Sequence, residues 1–426
     1  MKIFCSGIGG MGLSAYAAYQ KSMGHTVLGS DRALSPVTED LRSQGVTVFA
    51  EQDGSRVPPD ADLFVFSEAV PEGSPERVRA AGLGIPSVSY FQALGDLTRG
   101  SQLIAVCGTH GKSSTTAMAV RVLLEQERDP GVIIGTKVRE LHGRNWRRGA
   151  GDLFLVEACE YRRSFLHLSP QIILLNNADG DHFDYYRSPE DYESAFVEFV
   201  QQLPPDGIIL THGGDPVCAR IALRSGRTVV DADRQPLPAV GTPGEHMRRN
   251  AQLVLALSEH LQLERARTLR SLAAYAGCWR RMEVRGMYGE GIPVIDDYAH
   301  HPAEIRATLQ AMREAYPDRR LVVVFQPHTH DRTLKLYKEF VQAFRGAGTV
   351  IIPNIYDARR ERDQGTVDLS SFVADIAQGS DVQALHGTDL PATERLLRER
   401  ILQPEDALIV MGAGDVTALA GRMTKA

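Results

Sequence analysis

The chain reads as an α/β protein built on parallel sheets in three successive segments. Three observations predict this. Short β-branched runs alternate with helix-like stretches almost throughout, the signature of βαβ units. A strand–glycine loop–helix start occurs twice, at residue 3 and again at residue 103. At roughly 100–200 residues per domain, 426 residues fit two to four domains, and the segment pattern selects three.

The first segment, 1–98, opens with strand 3–5, a glycine loop, a helix to Met23 and a strand at 26–29, with further apolar runs at 63–66 and 85–88. The second, 99–284, opens with strand 103–106 and carries buried-strand runs at 153–156 and 172–175, then a turn-rich stretch at 203–207. The third, 285–426, holds strands at 294–295, 321–325, 350–352 and 407–411, with helices at 303–315 and 333–344. No fixed-period repeat or low-complexity tract interrupts them.

Composition excludes several classes. With 43% hydrophobic and 23% charged residues the chain is an ordinary globular one, neither disordered nor fibrous. A net charge of −6 leaves no basic footprint for nucleic acid, so no such partner is expected. No apolar run approaches the ~18 residues of a membrane span. Met1 to Cys5 lead straight into a glycine motif, which speaks against a signal peptide. Five scattered cysteines without a CxxC pair argue against disulfides and structural zinc and for a reducing cytoplasm.

The motifs carry the chemistry. Gly7, Gly9 and Gly12, with Gly10 between them, fit G-x-G-x-x-G, whose glycines permit a tight turn and close approach of backbone N–H groups to a diphosphate. Asp31, after the next strand, stands where a ribose-binding acid is expected; the fingerprint leaves NAD and a UDP-sugar both open. Gly108-Thr109-His110-Gly111-Lys112-Ser113-Ser114 follows strand 103–106 as a phosphate loop, with the lysine for the β/γ oxygens and a hydroxyl for Mg²⁺. A full P-loop has glycine where this chain has Val106. Glu157 ends one apolar strand, and His182 follows another, so both can reach a metal beside Ser113. Asp297, Tyr298, His300 and His301 follow a third-segment strand, and Gln326 to Arg332 follow the next. Gly412 to Asp415 end the last strand as either a structural turn or a site wall.

In this order GIGGMGLSAYA, GTHGKSSTT, EACE, NNADGDHFD, GEHMRRNA, RRMEVRG, DDYAHHPAEI, FQPHTHDRT and MGAGD resemble the Mur ligase family, ATP-dependent amide-forming enzymes of peptidoglycan precursor synthesis. The resemblance covers nearly the whole chain. It implies a Rossmann-like UDP-sugar domain, a central P-loop-type ATPase domain and a C-terminal Rossmann-like domain for an amino acid. It implies ATP and Mg²⁺ as cofactors, with UDP-N-acetylmuramate and L-alanine as substrates, in a monomer or homodimer. Carried over by position, Lys112 meets the β/γ-phosphates and Ser113, Glu157 and His182 the metal. Asn250 falls on an adenine contact, Arg281 on a phosphate contact and Asp297 on a ribose contact. Tyr298, His300, His328 and Arg332 fall on the amino-acid pocket.

The chain departs from the family pattern at three of these motifs. Cys159 stands for the usual Asp, Met247 for an Asn and Thr329 for an Arg. Residues 191–196 lack the lysine that members with other substrates carbamylate, as L-alanine-adding members do. The expected chemistry activates a carboxylate as an acyl phosphate, which an amine then attacks, with His300 or His328 as proton acceptor. Rivals within the family add glycine, serine or a recycled tripeptide to the same UDP-sugar. Outside it stand an NAD-dependent dehydrogenase and a non-catalytic nucleotide sensor.

Overall fold

Three sheets, each formed from one stretch of chain, order the computed structural model, which describes residues 1–181, 185–356 and 365–425. Among the described residues the first sheet contains β1 (Lys2–Ser6), β2 (Thr26–Ser30), β3 (Thr47–Phe49), β4 (Leu63–Phe66) and β5 (Ser87–Ser89), all parallel, in the order 3-2-1-4-5. The second contains β6 (Gln102–Cys107), β7 (Gly131–Val138), β8 (Arg144–Arg147), β9 (Leu153–Glu157), β10 (Ile172–Leu175), β11 (Ile208–Thr211) and β12 (Thr228–Asp231), in the order 12-11-10-6-9-7-8. The third contains β13 (Glu283–Tyr288), β14 (Ile292–Asp297), β15 (Arg320–Phe325), β16 (Thr349–Ile352), β17 (Gln383–His386) and β18 (Asp406–Met411), in the order 13-14-18-15-16-17.

Two strands break the expected parallel pattern: β8 pairs antiparallel with β7, and β13 with β14. Both connections are short, and a parallel pair needs a crossover of a dozen or more residues, so only a hairpin can close them. The helix expected over 333–344 is two helices, His330–Lys335 and Tyr337–Val341, with Leu336 non-helical between them. Beyond that break Phe340 and Phe344 both pack against the ring of Phe325. The run at 85–88 forms its strand two residues later, with Ile85 buried in the preceding turn.

The chain partitions into two compact units. Met1–Ala239 with Asn250–Ala273 holds the first two sheets, and Val240–Arg249 with Ala274–Ala426 holds the third. Within the first unit one apolar cluster joins both sheets: Tyr19, from the helix Met11–Ser22, meets Trp146 of β8 edge-on and Phe154 of β9 at a tilt. Central strands such as β6 and β10 are buried on both faces, which explains their near-continuous apolar runs. All five cysteines are free thiols, and no described helix is long and apolar enough to cross a membrane.

Under the central sheet Phe165 stacks on Phe199 with ring centroids 4.4 Å apart and meets Phe196 edge-on at 5.3 Å, fully buried. Phe165→Ala removes that ring and leaves a cavity, so unfolding free energy should fall by about 3–5 kcal/mol. Urea titration followed by fluorescence checks this; a loss under about 1 kcal/mol would mean that the cluster relaxes to fill the hole.

Candidate active site

The central sheet reverses its strand order at β6. Its neighbours are β9 and β10, and the chain must cross β6 to go from one to the other. Register sets Val106 beside Glu157 and Cys107 beside Leu175, so the three strands end together. In open α/β sheets such a reversal forms the crevice where ligands bind. After β6, Gly108 and Gly111 take φ of +141° and +82°. A Cβ at Gly108 would lie 2.9 Å from Asn177 O, and one at Gly111 2.7 Å from Asn250 Oδ1, so only glycine fits at either place. The helix Lys112–Glu125 starts there, and the amides of a helix's first turn have no intrahelical partner and attract anions.

Asn177 braces the loop: its carbonyl accepts from Thr109 N–H at 3.2 Å, and its side-chain oxygen accepts from His110 N–H at 2.8 Å. Thr109 Oγ1 lies 2.8 Å from the buried hydroxyl of Tyr192. Ser114 is buried in the helix's first turn, and Asn176 donates to Thr115 Oγ1 at 2.7 Å and to Asn250 Oδ1 at 2.9 Å. The sequence expectation that Asn250 meets the nucleotide thus finds it against Gly111, at the loop itself. Ser113 donates its hydroxyl to Glu157, 3.0 and 3.1 Å from the two carboxylate oxygens, and Glu157 also accepts from Gly135 N–H. His182 lies outside the described residues. Among the described residues no group of three His, Cys, Asp or Glu side chains converges to hold a metal. Ser113 and Glu157 nonetheless supply adjacent oxygen donors, the type Mg²⁺ prefers.

Lys112 donates from Nζ to Gly108 O at 2.5 Å and Thr109 O at 3.1 Å, and pairs with Glu160 at 2.9 Å. Burial lowers its affinity for the proton, but Glu160 and Glu157 outweigh that and hold the ammonium firmly charged. Glu160 is buried and carries no role in the sequence reading. Its signal was its spacing, three residues past Glu157 at the same strand end. The Cys159 thiol is pushed up to about 12 by burial and by Glu160, so this position stays neutral where the family's Asp would add charge.

In the first sheet the glycine loop takes the expected place after β1, yet its amides are largely used within the chain. Gly7 and Ile8 donate to Ser30 O, Gly10 to Gly7 O, and Gly9 to Asp31 Oδ2 at 2.9 Å. Asp31 also accepts from Ala33 N–H, so its carboxylate braces the loop. The first-turn amides of the helix Met11–Ser22 are the remaining donors for an anion. A Cβ at Gly12 would lie 2.7 Å from the Tyr90 ring, so this glycine sets how closely the helix packs.

The third sheet gathers the other motifs because β18 inserts between β14 and β15, bringing three polar loops side by side. The Gly412 loop is the joint among them. Gly412 donates to Asp297 O, Gln326 Nε2 donates to Asp415 Oδ1 at 2.8 Å, and Arg280 donates to Gly412 O. Arg280 carries no role in the sequence reading. It is buried between Asp296, 3.8 Å from Nε, and the faces of Tyr298 and Trp279, while Arg281 lies over Tyr298 at 4.6 Å. Asp297 is buried and accepts from Met282 N–H at 2.7 Å and Ala299 N–H at 2.8 Å. Tyr298, His300 and His328 form a row of rings, with centroids 5.3 and 6.1 Å apart, and His328 stacks on Tyr356. Thr329 holds φ +64° and ψ 147°, a strained conformation for a β-branched residue, and its hydroxyl accepts from Arg332 N–H to cap the helix His330–Lys335. Arg332 thus sits in that helix's first turn.

These features define a nucleotide-binding α/β protein with a phosphate loop and two Rossmann-like flanking sheets. Mur ligase family profiles match three stretches in turn: the family's catalytic domain over 2–102, its middle domain over 106–232 and its glutamate ligase domain over 280–414. The UDP-N-acetylmuramate–L-alanine ligase of Clostridium kluyveri is 34% identical over 97% of this chain and 96% of its own. That of Sorangium cellulosum is 37% identical over 97% and 93%. A UDP-N-acetylmuramate–alanine ligase structure from Thermotoga maritima superposes with a TM-score of 0.82 at 27% identity, covering 100% of this chain and 98% of its own. The chain belongs to the Mur ligase family and has its three-domain fold.

Burial raises the Asp297 carboxyl from 3.8 to about 6, against the opposing pull of Arg281 and the two amides. Between those values the folded chain keeps a proton the unfolded chain has lost, so this stability is present below about pH 4 and is lost as pH rises through about 6. The span is about 3 kcal/mol. Urea titrations from pH 4 to 7 should show that decline in the unit holding residue 297, and Asp297→Asn should flatten it.

Proposed function

We propose that this chain joins L-alanine to UDP-N-acetylmuramate with ATP through an acyl phosphate, a step of peptidoglycan precursor synthesis. The observation that carries the reading is the cluster at β6, where Lys112, Ser113 and Glu157 meet at one sheet edge in a chain that matches L-alanine ligases end to end. Residues 1–98 take the UDP-sugar, 99–284 the ATP and 285–426 the amino acid. ATP and UDP-sugars are metabolites of the cytoplasm, which is the proposed location.

A carboxylate is a poor acyl donor because its leaving group would be oxide. Transfer of the γ-phosphoryl group to it makes phosphate the leaving group. Two anions must meet for that transfer, so positive charge is needed at the phosphate oxygens, and Lys112 supplies it from the loop. Ser113 and Glu157, with His182, would hold Mg²⁺, which supplies further positive charge to those oxygens. Asn250 contacts the nucleoside, and Gly7, Gly9, Gly10, Gly12 and Asp31 shape the UDP-sugar site. Tyr298, His300 and His328 line the amino-acid pocket, and the Arg332 guanidinium suits the amino acid's carboxylate through a two-pronged contact.

Replacing Lys112 with Met should lower ATP turnover by about 10²-fold or more, a loss of ~3 kcal/mol of transition-state stabilisation. A coupled ADP-release assay reads it, and near-normal ligation by the folded variant would remove the phosphate-loop role. Arg332→Ala should raise the KM for L-alanine about 10–150-fold, the ~1.5–3 kcal/mol of a charge-assisted pair, and leave the KM for ATP nearly unchanged. Loss of ATP affinity in its place would assign Arg332 to the nucleotide.

A further inference from the structure

We propose that His300 takes the amine proton through Nε2 and that Glu304 is its positioning residue, an assignment that rests on the ligase reading above. The tautomer follows from one contact. His300 Nδ1 lies 3.1 Å from the backbone carbonyl of Tyr298, and a carbonyl oxygen only accepts. Nδ1 therefore carries the hydrogen, and in the neutral ring the lone pair is at Nε2. His328, the other candidate, is held by stacking on Tyr356 and by a backbone bridge to it.

Glu304 adds charge at the same nitrogen. Its Oε2 lies 3.3 Å from His300 Nδ1 and also accepts from the backbone N–H of His300 at 3.0 Å and of His301 at 3.1 Å. The carboxylate is thus fastened to the backbone of the residue whose ring it faces. Ring and carboxylate are both mostly buried, with 16% and 15% of their side chains exposed. An imidazolium formed by protonation at Nε2 places its charge against this carboxylate, as in other acid–imidazole pairs. Among the described residues, the other charged or titratable groups around them include Asp297, Arg281, Tyr298, His328 and His246. Of these, His246 feels Glu304 electrostatically, but burial and Arg248 drop it to about 4, which keeps it neutral. Glu304 is also the third residue of the helix Pro302–Ala315 and closes its capping box, so a purely structural role is the competing explanation.

The step balances. L-alanine enters as an ammonium with three N–H hydrogens, and the amide keeps one. The amine nitrogen forms the C–N bond to the acyl carbon, and the C–O bond to phosphorus's oxygen breaks with its electron pair leaving on phosphate. One proton goes out on hydrogen phosphate, and the other passes to His300 Nε2 and then to solvent.

Hydroxylamine separates activation from proton removal, because its amine is already neutral at neutral pH and traps an acyl phosphate as a hydroxamate. The full-length protein is assayed with ATP and UDP-N-acetylmuramate, once with L-alanine and once with hydroxylamine. His300→Asn should lose about 10²–10⁴-fold in kcat with L-alanine while still forming hydroxamate, and His328→Asn should lose less. Glu304→Gln keeps an acceptor for the cap, so its melting temperature should hold while kcat with L-alanine falls about 10-fold or more and KM stays put. Nitrogen-15 NMR of wild-type His300 should show the hydrogen on Nδ1. A hydrogen on Nε2, a larger loss in His328→Asn, or a Glu304→Gln protein with wild-type kcat would each overturn the assignment. A wild-type protein that forms no hydroxamate would overturn the ligase reading and this assignment with it.

Discussion

The alignment of strand ends across β9, β6 and β10 is the constraint on which the central site depends. Parallel pairing fixes Val106 against Glu157 and Cys107 against Leu175, so whatever follows each strand emerges on one edge. Ser113 and Glu157 are 44 positions apart in sequence, yet hydroxyl and carboxylate meet at hydrogen-bond distance. Asn176 and Asn177, one step past β10, reach across to hold the loop from its other side. A slip of one residue in any of these pairings would turn each side chain to the opposite face of the sheet and dissolve the cluster. The third sheet repeats the device with a different strand: β18, last in the chain, slots between β14 and β15 and ties their polar ends together through Gly412 and Asp415.

At these sites charge burial is managed by pairing. Lys112 is matched by Glu160, Arg280 by Asp296 and by carbonyl oxygens of the Gly412 loop, and Asp297 by two backbone amides. Removing one member of such a pair strands the other in a medium that solvates it poorly, which is more damaging than the pair is stabilising. The same pairing keeps the site's geometry rigid. Asp31 does this for the first glycine loop and Glu304 for His300, each through backbone N–H groups that cannot rotate away.

Much of the site was legible because its residues sit in short motifs at strand ends. Gly108, Gly111, Lys112 and Ser113 announce a phosphate loop by spacing alone, even with Val106 in place of the first glycine. The helix at 303–315 and the strands 63–66 and 172–175 were equally plain, since their periodicity and end signals are local. What escaped has a common cause. Glu160, Arg280 and Glu304 resemble solvated surface charges in a one-dimensional reading, and only burial and partners reveal them as braces. The edge strands β8 and β13 were missed because neither alternates regularly between buried and exposed residues, and their direction depends on connection length. Asp31 was legible as an acid near the loop, but not as the group that occupies Gly9's amide.

Local signals along the chain account for the α/β class and the order of the motifs, because strand, helix and glycine-loop signals act over a few residues. The sequence by itself also determined the family, since nine motifs in one order over nearly the whole chain are far more specific than any one of them. Tertiary structure decided which of those residues touch. The insertion of β18 between β14 and β15, the meeting of Asn250 with Gly111 and the contact of His300 Nδ1 with the Tyr298 carbonyl each depend on groups distant in sequence or on a backbone carbonyl's direction. Such contacts arise only when the apolar faces of separate elements close on one another, and no local pattern encodes the register in which they close.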